Sequence, residues 1–471
     1  MVFSSSLFIF LFLPLFLVFY FISGKKLKNP LILVFSILFY AWGAPGFIFI
    51  VLGSLIINYY IVNAIYRESR YRRHLMWCSI LINIGLLAYF KYANFFIENV
   101  NSLLQTIGLS SLNWTRIALP IGISFFTFQS LTYTLDVYRR VHAPLKKLTD
   151  YLLYILMFPQ LIAGPIVRFH TIADQIENRS VNETYEQRIL GFLRFIMGLS
   201  KKVLLANTLG AEADRIFSQP ESINSATAWI GILAYTFQIY YDFSGYSDMA
   251  IGIGRMIGFT FPENFNNPYV SQSITEFWRR WHMTLGAFMK DYLYIPLGGN
   301  RVNTKARLYF NLWVVFLISG LWHGASWSFV LWGAYHGLFL ILDRLFLIRM
   351  LSKIGKPIRV FITFLIIVVG WVFFRIENLK DALSVICHMF SFRFNSHVIL
   401  SKEFVLAMIF AFIFSFITLL KQGRQLESVF YFKDAFSKPR WWIFIPCLIL
   451  FILSVSYITS FGFNPFIYFR F

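Results

Sequence analysis

The chain has 471 residues, of which 58% are hydrophobic, 20% aromatic and only 14% charged, and its mean hydropathy is +0.63. Several apolar runs reach the ~20 residues that a membrane-spanning helix needs, which excludes a soluble globular protein. The formal net charge is +20, from 42 basic and 22 acidic side chains. The basic residues cluster in loops between apolar runs, the positive-inside pattern, so the charge does not imply a nucleic-acid partner. Those loops could also hold an anionic donor or lipid headgroups. Cys78, Cys387 and Cys447 have no paired spacing, which argues against a disulfide framework or a metal site.

In chain order, a first helix is expected over Ser4 to Ile22. It lacks a basic n-region and a cleavage site, so it reads as a retained helix rather than a signal peptide. Helices two and three are expected over Leu31 to Trp42 and Phe47 to Asn63, joined by AWGAPG. The basic stretch YRESRYRRH precedes helix four, Leu75 to Ile97. A loop with few basic residues then leads to helix five, Ile117 to Val137, and to RRVHAPLKK. Basic loops thus alternate with non-basic ones, which places the N-terminus outside and the basic loops in the cytoplasm.

Tyr151 to Val167 is a further apolar run with FPQLIAGPIVRF at its end, whose two prolines and glycine predict a broken or re-entrant segment. His170 to Arg188 reads as a polar surface loop. Spans are expected over Leu190 to Leu209, interrupted by Lys201 and Lys202, and over Ala226 to Tyr241. Tyr240 to Tyr269 is too polar and glycine-rich for a lipid-facing helix. In Ser273 to Val302, Phe277, Trp278, Trp281 and Leu285 stand at helical spacing, the pattern of an amphipathic helix at the cytoplasmic interface. Further spans are expected over Trp327 to Leu342, Val360 to Phe374, Phe404 to Leu420 and Trp441 to Tyr457. The basic loop Lys421 to Arg440 puts the C-terminal tail outside. The reading totals about eleven spans in one domain, with no internal repeat.

One stretch combines membrane-grade sequence with titratable groups: Leu317 to Leu338, LISGLWHGASWSFVLWGAYHGL, which carries His323 and His336. An ionisable side chain in such sequence is costly and marks function. On one continuous helix, 13 residues give about 20 Å of rise and about 220° of rotation, so the two imidazoles would not share a site. His323 is favoured, since Gly320 and Gly324 beside it let backbone or ligand come close. If Arg307 marks the cytoplasmic boundary, His323 lies roughly 24 Å along the helix, short of the far side of a core about 30 Å thick.

The motifs DFSGYSDMAIGIGRMIGF, NFNNPY, SITEFWRRWHMTL, YIPLGGNR and LWHGASWSFVLWGAYHG, between an MVFSS start and a FIYFRF end, occur in an order that resembles the membrane-bound O-acyltransferase (MBOAT) family. The similarity is to its bacterial branch of alginate and peptidoglycan O-acetylation proteins. The resemblance implies an all-α horseshoe of helices around a central tunnel, in the bacterial inner membrane. It also implies a cytoplasmic acyl donor, acetyl-CoA, with no permanently bound cofactor. The acceptor would be a cell-envelope polysaccharide, acetylated with an extracytoplasmic SGNH-type partner. The family's invariant histidine matches His323 in LWHG, and its second histidine-bearing motif matches His282 in FWRRWH.

An unperturbed histidine, with pKa about 6.5, can take a hydroxyl proton near neutral pH. His323 is therefore the expected general base. His282 either orients the donor or its thioester carbonyl, or is an interfacial histidine. His336 is a candidate structural donor inside the bundle. Asp242 and Asp248 could hold a histidine tautomer, pair with Arg255, or form buried ion pairs. Arg279 and Arg280 could meet donor phosphates or snorkel as surface cations. The Tyr468 hydroxyl could relay an acyl group outward, or the tail could be an aromatic anchor. GIGRMIG follows no strand and is no dinucleotide fingerprint. Competing readings are another acyl group or a lipid acceptor, a transporter or channel, and a scaffold that only recruits a soluble partner.

Overall fold

The computed structural model describes residues 2–67, 70–219, 223–393, 399–430 and 441–461, and no strand occurs among them. The helices group into two compact units. Unit one comprises Leu7–Glu183 and Ile257–Phe261. Unit two comprises Val2–Ser6, Thr184–Met256 and the described residues from Pro262 onward.

Unit one holds α1 (Leu13–Ile22, entered through a π-turn at Phe8–Phe12), α2 (Lys28–Gly43), α3 (Ile48–Arg67), α4 (Arg72–Thr106), α5 (Ile123–Tyr138), α6 (Leu148–Leu156), α7 (Phe158–Leu161) and α8 (Phe169–Glu177). Helix α4 outruns its expected end at Ile97 because no glycine or proline follows until Gly108, whose φ of +79° stops it. The next helix starts later than Ile117 because Pro120 and Gly122, with φ +77°, hold the chain in a turn. The FPQLIAGPIVRF segment is broken, and its backbone is buried in protein, where irregular structure is tolerated. Tyr154 lends a hydroxyl donor to the Val167 carbonyl there, at 2.9 Å.

His170 to Arg188 is not the surface loop expected. It forms α8, which buries Phe169, Ile172, Ala173 and Ile176, and then delivers Arg179 to a buried network. The Arg179 guanidinium donates to Asn29 Oδ1 (2.6 Å) and to the Ile257 carbonyl (3.1 Å), while Tyr20 donates to Glu183 at 2.6 Å. The high polar content of the stretch concealed a two-turn helix with one apolar face.

Unit two holds α9 (Tyr185–Ser200), α10 (Asn207–Phe217), α11 (Ser225–Met256), α12 (Ile274–Arg280), α13 (Met283–Met289), α14 (Lys305–His323), α15 (Trp327–Leu342), α16 (Ile348–Leu351), α17 (Lys356–Arg375), α18 (Leu379–Met389), α19 (Lys402–Phe416), α20 (Lys421–Phe430) and α21 (Phe444–Phe461). A π-turn at Lys201–Ala206 joins α9 to α10. Helix α11 does not stop at Tyr241. It runs 32 residues, through DFSGYSDMAIGIG, and nearly all of it is buried, in keeping with sequence too polar to face lipid.

Helices α9 and α11 cross at two glycine pairs. A Cβ on Gly198 would lie 2.5 Å from the Gly245 carbonyl, and one on Gly191 would lie 2.6 Å from the Gly252 carbonyl. Small residues at such crossings let backbones approach in membrane proteins. The approach brings the lysines of the π-turn to α11: Lys202 pairs with Asp242 and Lys201 with Asp248, both at 2.7 Å, and Arg194 pairs with Asp248 at 2.6 Å. The lysines that interrupted an apolar run are the counter-charges of the next helix.

Five helical segments among the described residues are long and apolar enough to cross a membrane: Ile48–Arg67, Arg72–Thr106, Trp327–Leu351, Lys356–Arg375 and Lys402–Leu419. Phe8–Ile22, Lys28–Gly43 and Phe444–Ser460 are shorter apolar helices. The expected eleven spans included segments such as α11 whose surface is satisfied by protein instead. Replacing Gly198 with valine forces α9 from α11, an overpacking cost of about 1–3 kcal/mol. The check is a lowered midpoint of thermal unfolding in detergent relative to a valine placed at the open Gly53.

Candidate active site

The stretch that carries His323 and His336 is not one helix. Helix α14 ends at His323, Gly324 is extended (φ −160°, ψ 152°), and α15 begins at Trp327. The hairpin closes through glycines. A Cβ on Gly320 would collide with the Phe329 carbonyl, one on Gly333 with the Phe316 carbonyl, and one on Gly324 with the Phe329 ring. The room left by Gly320 and Gly324 is thus filled by the neighbouring helix. The continuous helix on which the rotation between the two histidines was reckoned is therefore absent. Trp332 touches both, its ring 5.1 Å from His323 and 5.0 Å from His336, centre to centre.

A third histidine joins them. The aromatics of SITEFWRRWHMTL do begin a helix, but Trp281 is extended and His282 has φ +44°, a left-handed residue between α12 and α13. Histidine is among the non-glycine residues enriched in that conformation. The break replaces the continuous amphipathic helix expected, and Phe277, Trp281 and Leu285 are buried in protein instead of projecting towards headgroups. Asp343 supports α12 from below: its carboxylate accepts the Thr275 N–H at 2.7 Å, at the open end of the helix where N–H groups lack partners. The break sets the His282 ring 6.5 Å from His323 and 4.7 Å from Phe243.

All three imidazoles are buried: His282 is 1% exposed, His323 5% and His336 0%. Trp322 and Phe374 complete the wall around His323, at 4.8 and 5.0 Å. Trp278 packs on His336 at 4.9 Å, and Gly370 leaves room for its Nε2, which a Cβ would approach to 2.6 Å. His282 Nδ1 lies 3.0 Å from Asn264 Oδ1. Burial pushes the His282 imidazole down to about 3, so it is neutral across the physiological range.

The remaining predicted residues sit apart from this cluster or at its edge. The ion-pair partners of Asp242 and Asp248 are Lys202, Lys201 and Arg194 rather than Arg255. Arg279 is exposed, and Arg280 pairs with Glu276 at 2.7 Å on its own helix. Tyr468 lies outside the described residues. Asn264, Trp332, Phe374 and Asp343 were not singled out from sequence. Only NFNNPY, asparagines amid aromatics, offered a signal.

The sequence profile of MBOAT, the membrane-bound O-acyltransferase family, matches residues 105–376, more than half the chain and all of the histidine cluster. The chain belongs to this family. It is an O-acyltransferase of the membrane. It is similar to the probable alginate O-acetylase AlgI of Pseudomonas aeruginosa, at 45% identity over 395 residues, 83% of this chain and 75% of that one. It is also similar to the peptidoglycan O-acetyltransferase of Helicobacter pylori, at 38% identity over 438 residues, 86% of this chain and 82% of that one. The teichoic acid D-alanyltransferase of Bacillus subtilis is a more distant relative, 27% identical over 297 residues, 55% of this chain and 71% of that one.

Lys202→Met removes the cation 2.7 Å from the Asp242 carboxylate, which is 1% exposed. Breaking a buried pair from one side costs ~3–5 kcal/mol. The double variant Lys202→Met/Asp242→Asn recovers most of that loss, and thermal unfolding in detergent measures both.

Proposed function

We propose that this O-acyltransferase takes an acetyl group from cytoplasmic acetyl-CoA and passes it outward for O-acetylation of a cell-envelope polysaccharide. The observation that carries the proposal is the pair His282 and His323, buried within one aromatic enclosure with ring centres 6.5 Å apart. That separation leaves space for substrate polar groups between the two rings, each within hydrogen-bond reach of one imidazole, at about 2.8 Å. The names of the two relatives of higher identity favour acetyl over D-alanyl as the group transferred.

His323 is the general base of this mechanism. Its neutral imidazole takes the proton of the acceptor hydroxyl as the oxygen attacks the thioester carbonyl carbon. The carbon–sulfur bond breaks, the thiolate leaves, and the imidazolium returns the proton to sulfur. One ester and one thiol are formed, and the histidine ends neutral. Aromatic walls keep bulk water from competing as acceptor. His282 contacts the substrate from the facing side of the enclosure, at a polar group other than the reacting hydroxyl. Arg279 meets donor phosphates in this mechanism, a role that its exposure on α12 leaves open to a ligand.

In this reading the protein sits in the bacterial inner membrane, consistent with the bacterial origin of its relatives. An extracytoplasmic SGNH-type enzyme completes transfer to the polymer. The Tyr468 hydroxyl is the intermediate acceptor, carrying the acetyl group as an aryl ester towards that partner.

In purified protein supplied with acetyl-CoA, His323→Ala lowers thiol release ~10²–10⁴-fold while the protein remains folded. Near-normal turnover in that variant removes His323 from the mechanism. Tyr468→Phe separates the relay from an anchoring tail: the relay predicts loss of polymer acetylation in cells, an anchor predicts none.

A further inference from the structure

A buried imidazole is only useful in one of its two neutral forms, and which form His282 adopts can be worked out from its neighbours. Asn264 Oδ1 lies within 3.0 Å of His282 Nδ1, 2.9 Å of Thr284 Oγ1 and 3.3 Å of the Thr284 backbone nitrogen. A backbone N–H can only donate, so the atom it meets is the amide oxygen and not the amide nitrogen. The Asn264 Nδ2 faces the other way, donating to Ser247 Oγ at 3.1 Å. The oxygen at the centre of these contacts can only accept. His282 must therefore carry its proton on Nδ1. Its other nitrogen, Nε2, is left with a bare lone pair, buried, and with no hydrogen-bond partner among the described residues. Burying such an acceptor unpaired is costly, and the deficit is removed when a ligand supplies a polar hydrogen.

The Asn264 side chain is held rigidly enough to impose that choice. The residue is 1% exposed, and its carbonyl accepts the Met283 N–H at 2.9 Å, immediately after His282. Two residues on, Asn266 N–H donates to the Arg280 carbonyl at 2.9 Å. The loop is thereby laced to both sides of the left-handed break at which His282 stands.

We infer that Asn264 is a positioning residue that locks His282 in the Nδ1–H form, so that Nε2 accepts a hydrogen bond from an N–H or O–H of the substrate. The inference rests on the acyl-transfer reading above and deepens it. It excludes the alternative in which neutral His282 donates a hydrogen bond from Nε2 to the thioester carbonyl. It also divides labour between the two imidazoles: His323 moves the proton, and His282 holds a polar hydrogen in place. Two sources carry that chemistry, an amide N–H in the arm of the thioester donor and a hydroxyl of the acceptor other than the one that His323 deprotonates.

The form is read directly by nitrogen NMR of full-length, histidine-labelled protein in detergent, with His282→Gln identifying the resonance. The expected result is a protonated Nδ1 and an unprotonated Nε2 in the unaltered protein, and loss of that preference in Asn264→Ala. Thiol release from acetyl-CoA falls about 10–100-fold in Asn264→Ala. Asn264→Asp keeps an acceptor in place and recovers most of the rate. A raised KM for acetyl-CoA in Asn264→Ala assigns the hydrogen to the donor arm, and a lowered kcat at unchanged KM assigns it to the acceptor. A protonated Nε2 in the unaltered protein overturns the inference. So does an equal fall in Asn264→Ala and Asn264→Asp with the His282 form unchanged, which marks Asn264 as merely structural. Full activity in His282→Ala, by contrast, overturns the use of His282 in the proposed reaction itself.

Discussion

The close approach of α14 and α15 through Gly320 and Gly333 is the constraint on which the site depends. Each glycine meets a backbone carbonyl of the other helix, so the two main chains touch with no side chain between them. Without a hydrophobic driving force between helices in lipid, such contact is what dispersion and packing reward. The consequence is chemical. Two histidines 13 residues apart both pack against one tryptophan, and the third arrives on a separate broken helix. A larger residue at either glycine would part the hairpin and open the enclosure that buries the histidines.

Much of this was legible in sequence, and what was not has particular causes. The helical membrane class followed from apolar runs, and the family followed from long motifs in order. His323 and His282 were both chosen. The geometry that unites them was not, because the helix carrying His282 was read as continuous and its break at Trp281–His282 was not foreseen. Glycine in a membrane helix signals either close packing or a chain reversal, and here Gly320 does the first while Gly324 does the second. Periodicity distinguishes neither. The same ambiguity hid the break at Trp281–His282, where an unbroken aromatic stripe crosses two helices joined by a residue with φ +44°. Stripe continuity is a property of burial, and burial continued although the helix did not.

Polar residues misled in the opposite direction. Lys201 and Lys202 looked like an interruption, and His170 to Arg188 like a surface loop. Both serve the interior: the lysines neutralise Asp248 and Asp242, and Arg179 knits α8 to α1 and α2 through Tyr20 and Asn29. A single sequence shows charges but not their partners. Half of each pair lies dozens of residues away, and only tertiary structure tells a buried ion pair from a solvated face.

The ion pairs and the histidine cluster are also mechanically linked. Arg194 on α9 reaches Asp248 on α11 at 2.6 Å and Glu263 at the same distance, while Glu263 directly precedes Asn264. One guanidinium therefore ties two helices to the loop that holds His282. It can do so only because the Gly191–Gly252 and Gly198–Gly245 contacts bring α9 against α11 on either side of it. Planar, multiply donating and permanently charged, arginine suits that bridging position where lysine would serve one partner. Glycine contacts set the helix spacing, charge pairs set the loop, and the loop sets the orientation of an imidazole. Each step depends on a short-range contact that the preceding one makes possible.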